Sequence, residues 1–126
     1  MRGKLELLRI YSHECLQLYR QHRSHFSFET LWRWYPVWMR SLQPGASSLA
    51  DRRPWINFDA VASLEKLVNR SSRVFEYGCG GSTLFFADRV CELVSVEHYP
   101  GWLKRVQEEM GGHTDVCWIS HLVPPS

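Results

Sequence analysis

The chain's 126 residues predict an α/β fold: a parallel sheet packed with helices and preceded by further helices. Three observations carry that prediction. Short β-rich apolar runs (RVFEY, CELVSVEH, TDVCWISHLV) alternate with stretches of helical periodicity in the second half of the chain. A glycine cluster, GCGG, stands directly after the first run, where a buried strand would turn into a helix. The first half has no such runs and repeats its apolar residues every three or four positions instead.

The elements follow in order. Leu5, Leu8, Tyr11, Cys15, Leu18 and Tyr19 share one face of a first amphipathic helix. After the polar break RQHRSH, a second helix over FSFETLWRWYPVWMRSL would turn Phe28, Leu31, Trp32, Tyr35 and Met39 inward, and Pro36 would kink or end it. QPGASSLADRRP reads as a linker of turn formers. NFDAVASLEKLVNR is a third helix capped by Asn57, with Val61, Leu64 and Val68 on one face. Strand RVFEY, helix STLFFADRV, strand CELVSVEH, helix PGWLKRVQEEMGG and strand TDVCWISHLV complete the alternation. Proline in the first turn of the last helix and glycines past its end are the preferred boundary residues. Parallel strands joined through helices imply right-handed crossovers. Two regions result: a helical N-terminal extension, 1–45, and a sheet-containing domain, 46–126.

Composition excludes several classes. Fifteen basic against thirteen acidic residues leave a net charge of +2, and the basic residues are scattered, so nothing argues for a nucleic-acid partner. Cys15, Cys79, Cys91 and Cys117 form no C-x-x-C pair, and reduced thiols in a cytoplasmic protein are expected. No stretch approaches the roughly 20 apolar residues of a membrane span, so stable membrane insertion is not expected. The Trp- and Arg-rich FETLWRWYPVWMR suits core packing, with a membrane surface as the other reading. His13, His22, His25, His113 and His121 share no metal-ligand spacing with a cysteine or an acid, and no metal is expected.

The chemistry concentrates around GCGGST, Gly78 to Thr83. A glycine turn after a strand lets a ligand approach main-chain N–H groups at the start of the next helix. Glu76 lies two residues before it, at the end of the strand, where an unpaired carboxylate is costly unless a ligand group meets it. Glu97 ends the next strand, 19 residues after Gly78, where a carboxylate can accept both hydroxyls of a ribose. Adjacent parallel strands bring both acids to one edge of the sheet. A dinucleotide's pyrophosphate would be repelled by Glu76, and Thr83 replaces the third glycine of G-x-G-x-x-G. An ammonium or sulfonium ligand suits the acid better. Cys79, inside the turn and near a helix N-terminus, reads as a small turn residue rather than a nucleophile with a lowered pKa.

VFEYGCGGSTLFFA followed by LVSVEHYPGWLKRV resembles motif I and the following acidic motif of class I S-adenosylmethionine-dependent methyltransferases, in particular the branch reading E-Y-G-x-G-x-S-T and then V-E-H. PWINFDAVASLEKLV resembles that branch's lead-in helix, and the likeness spans about Pro54 to Val106. It implies a Rossmann-like sheet of which this chain carries the first three strands, with S-adenosylmethionine as cofactor. Glu76, Gly78 and Gly80 would shape the methionine end of the pocket, Ser82 stands where many such enzymes have a third glycine, Glu97 would hold the ribose, and His98 and Tyr99 would lie near the adenine. The family's sheet has seven strands in the order 3-2-1-4-5-7-6, and the part that orients the methyl acceptor lies beyond the third. The expectation is therefore the truncated, N-terminal cofactor-binding half of a methyltransferase acting on a small molecule or glycan, with no catalytic residue assigned. The alternative is a non-catalytic interaction protein retaining the turn as a relic; a dinucleotide-binding module is disfavoured. Without a fourth strand, the open edge of RVFEY predicts weak stability or self-association.

Overall fold

The computed structural model describes residues 3–21, 27–113 and 115–124, and of Phe28, Thr30 and Leu31 the backbone alone. The chain is mixed α/β, with five helices and three strands in the order α1 (Lys4–Gln21), α2 (Phe28–Ser41), α3 (Phe58–Leu67), β1 (Arg73–Tyr77), α4 (Gly81–Ala87), β2 (Glu92–Glu97), α5 (Pro100–Met110) and β3 (Cys117–Leu122). It divides into two compact units, Met1–Ala46 and Ser47–Ser126.

In the first unit, α1 turns Leu8, Tyr11, Cys15 and Tyr19 toward partial or full burial, while Leu5 and Leu18 are exposed. The predicted stripe was thus too wide, because residues at its margins rotate out of reach of one neighbouring helix. α2 runs through Pro36 without ending, although the ring removes one helical hydrogen bond. Its buried tryptophan is Trp34, and Trp32 is exposed. Tyr35 and Trp38 reach Tyr11 of α1, each with ring centroids 5.0 Å from it. The inward face of α2 is therefore set by aromatic contacts one step along from the one that simple periodicity selects. His22 and His25, and the side chains of Phe28 and Leu31, lie outside the described residues.

The second unit is built on a parallel sheet of order β1-β2-β3. Register places Val74, Leu93 and Trp118 in one row and Glu76, Ser95 and Ser120 in the next, all on the same face. Leu93 joins Leu84 and Ala87 of α4 and Leu103, Val106 and Met110 of α5 in one core, with Val74 and Trp118 packed against it. On the opposite face Phe75 and Tyr77 remain 55% and 86% exposed, and Ile119 is also exposed. The parallel sheet packed with helices is present, and β1 and β2 alternate in burial, the pattern of strands with one dry face.

α3 begins as the sequence predicts, with Asn57 Oδ1 accepting from the Asp59 N–H at 2.8 Å. From Ser47 on, the segment read as a linker is a packed part of this unit. Leu49 is only 4% exposed and belongs to the core, and the backbone folds on itself through Asp51 N–H to Ser47 O and Arg53 N–H to Ser48 O. It lies so close to the start of α4 that a Cβ on Gly81 would stand 2.0 Å from Ser48 O and 2.4 Å from Arg53 O. Only glycine fits there, because both obstructing atoms are backbone. At the other end of α4, His113 Nε2 lies 2.7 Å from Arg52 Nη2 and 2.9 Å from Asp88 Oδ1, fastening the same segment again.

Gly81→Ala should lower stability by about 1–3 kcal/mol through overpacking. Gly112→Ala, where a Cβ meets open space, should change it by less than about 0.5 kcal/mol. Urea unfolding of both variants checks the contrast; equal midpoints would contradict the close approach.

Candidate functional site

The site forms at the carboxyl ends of β1 and β2. β1 ends at Tyr77, and Gly78 turns the chain at φ +79°, a left-handed conformation that favours glycine. Its N–H donates to Val96 O, so the turn stays bound to β2. Gly80 caps α4, and its N–H donates to Thr83 Oγ1 at 2.8 Å.

Glu76 is held by the chain's own hydroxyls. Ser82 Oγ donates to Oε2 at 2.7 Å, and Oε1 accepts from Ser95 Oγ at 2.7 Å and from Thr83 Oγ1. Ser95 in turn accepts from Trp118 Nε1 at 3.0 Å, which carries the network to β3. The expectation that Glu76 lacks partners without a ligand is thereby corrected. Ser82 and Thr83, which sequence reasoning treated as substitutes for a glycine, are donors to the acid that precedes the turn.

Glu97 is 5% exposed. Its Oε2 accepts from the Cys79 N–H at 3.1 Å, and its Oε1 accepts from the N–H groups of His98 at 2.8 Å and Tyr99 at 3.0 Å, as the chain enters α5. Burial acts to raise the Glu97 carboxyl, but the N–H groups of Tyr99, Cys79 and His98, with the Cys79 thiol, together hold it below the ordinary value of 4.5. His98 Nδ1 lies 3.1 Å from the same carboxylate, and its side chain is exposed. Tyr99 is exposed as well.

Cys79 lies between the two acids. Burial first, and then the nearby Glu97 and Glu76 carboxylates, push its thiol up to about 12, which leaves it a protonated, non-nucleophilic side chain. Its carbonyl accepts from Trp102 Nε1 at 2.6 Å, and the Trp102 ring lies 3.5 Å from where a Gly80 Cβ would stand. Trp102 therefore covers the glycine turn. Sequence reasoning missed it and Gly81; the signal available for Trp102 was its place in the first turn of the helix that follows Glu97.

Glu76, Gly78, Gly80, Ser82, Glu97 and His98 thus meet at one sheet edge. His113 belongs elsewhere, in its contact with Arg52 and Asp88, and among the described residues no cluster of His, Cys, Asp or Glu suits a metal. No described helix is long and apolar enough to cross a membrane. Comparison of the chain with protein families, with curated proteins and with solved structures finds no match.

Ser95→Ala strands both Trp118 Nε1 and one acceptor site of Glu76, and should cost about 1–3 kcal/mol. Because Glu97 titrates lower in the folded chain than in the unfolded one, its stabilisation is present above pH 4.5 and is lost as the pH falls through its folded value. Glu97→Gln should therefore flatten the acid limb of a stability–pH curve measured by urea unfolding, whereas an unchanged limb would assign acid loss to other groups.

Proposed function

We propose that the second unit is the cofactor-binding half of an S-adenosylmethionine-dependent methyltransferase with a Rossmann-like sheet, working in the cytoplasm on a small molecule or glycan. One observation carries the reading: the Glu97 carboxylate at the end of β2 is hydrogen-bonded to the Cys79 N–H inside the glycine turn at the end of β1. A ribose-type acceptor and the glycine turn are thus one unit, at the edge where open α/β sheets bind ligands. The resemblance of the paired motifs adds the cofactor's identity.

The residues suit that cofactor. A carboxylate offers about four acceptor positions. Glu76 uses two on Oε1 and one on Oε2, which leaves one for an ammonium group. On Glu97, the weakest donor is the Cys79 thiol at 3.6 Å, the partner that a ribose hydroxyl would replace at least cost. When bound, S-adenosylmethionine supplies an electrophilic methyl group. The chain's own work is to hold the amino end at Glu76 and the ribose at Glu97, and to orient both with little rearrangement.

A second reading has an observation of its own. Both acids are paired within the chain, so the fold needs no ligand to compensate them. That favours a non-catalytic interaction protein retaining the turn.

Calorimetric titration with S-adenosylmethionine, S-adenosylhomocysteine and NAD separates these readings. The first predicts binding of the two sulfur nucleosides and not of NAD, weakened about ten- to a hundredfold in Glu97→Ala, the loss of a hydrogen bond to a charged group. Absence of binding by the parent chain would favour the second. Self-association through the β1 edge is also proposed, since β1 is one of the two outer strands of the sheet and exposes Phe75 and Tyr77. Sedimentation velocity should show a concentration-dependent dimer, and a monomer across the accessible range would count against it.

A further inference from the structure

The first unit contains a cavity that the methyltransferase reading does not use. It opens between the first turns of α1 and the last turn of α2, beside the contact of Tyr11 with Trp38, and has a volume of about 450 Å³. That lies within the size range of small-ligand sites. Its wall is formed by Leu7 and Ile10 of α1, Trp38 and Met39 of α2, and Leu42, Gln43 and Pro44 just beyond it. Six of these seven side chains are apolar, the amide of Gln43 donates to Met39 O, and the flexible Met39 can adapt to ligands of different shape.

One charge stands on this cavity. Lys4, the first residue of α1, lines it and is exposed, and among the described residues it has no ion pair. None of the residues lining the cavity is acidic. A purely apolar ligand would leave the ammonium without a role, and a cationic one would be repelled by it. An apolar channel with a single positive charge complements a molecule with an extended hydrocarbon tail and one negative head.

We propose that this cavity binds an anionic single-chain amphiphile, its aliphatic tail lying against Ile10, Trp38 and Leu42 and its carboxylate at Lys4. The site is independent of the glycine turn. Affinity should rise roughly fourfold with each methylene added until the cavity is filled.

The test is calorimetric titration of the full chain with dodecanoate below its micelle concentration, with dodecyltrimethylammonium as the control of opposite charge. The expected result is one dodecanoate per chain, little or no binding of the cation, and at least a tenfold loss in Lys4→Glu, an exposed position where folding is retained. Ile10→Trp, which fills the cavity, should abolish binding, with helix content followed by circular dichroism. Absence of dodecanoate binding, equal affinity for the two head charges, or unchanged affinity in Lys4→Glu would each overturn the proposal. So would binding confined to vesicles of anionic lipid.

Discussion

The second unit depends on how one carboxylate is compensated. Glu76 accepts from hydroxyls on two other elements, Ser82 and Thr83 of α4 and Ser95 of β2, and Ser95 is itself tied to Trp118 of β3. Thr83 and Ser95 are fully buried, so neither hydroxyl can turn to water instead. An acid and three neutral donors in such surroundings polarise one another, and losing any one leaves the others short. The register of three strands and the start of α4 are therefore specified by the same few atoms. A purely apolar layer would stabilise the packing without selecting that arrangement.

α4 is held at both ends by a segment without regular structure. At its start, carbonyls of Ser48 and Arg53 occupy the space a side chain on Gly81 would need; at its end, Asp88 meets His113, which also meets Arg52. Arg52 adopts φ +52°, a conformation uncommon for a residue with a side chain. The strain is local and is offset by contacts at both ends of the helix. The glycine turn is thereby supported from a stretch some thirty residues earlier in the chain.

The sequence carried the elements of the second unit well because each boundary has a local cause. β1 falls on RVFEY, α3 starts at its Asn57 cap, and α5 starts at Pro100. The convergence of Glu76, the glycines and Glu97 followed from strand alternation and parallel pairing alone. What was not legible depends on contacts distant in sequence. No local signal says that Leu49 enters the core, that Ser48 approaches Gly81, or that hydroxyls of Ser82 and Ser95 reach Glu76. In the first unit, periodicity found both helices but misjudged which tryptophan of α2 is buried, because only the meeting of Tyr11 with Tyr35 and Trp38 decides the face.

The position of Cys79 bears on how the chain withstands oxidants. Peroxides attack thiolates, so a reactive cysteine in a glycine turn would be a point of damage to the turn itself. Here burial, and then the flanking carboxylates, keep the proton on sulfur. Cys91 and Cys117, both exposed, lie at the amino-terminal side of β2 and β3, away from the turn. Within the second unit, the thiols that solvent reaches are thus at the far end of the sheet from the Gly78–Gly80 turn.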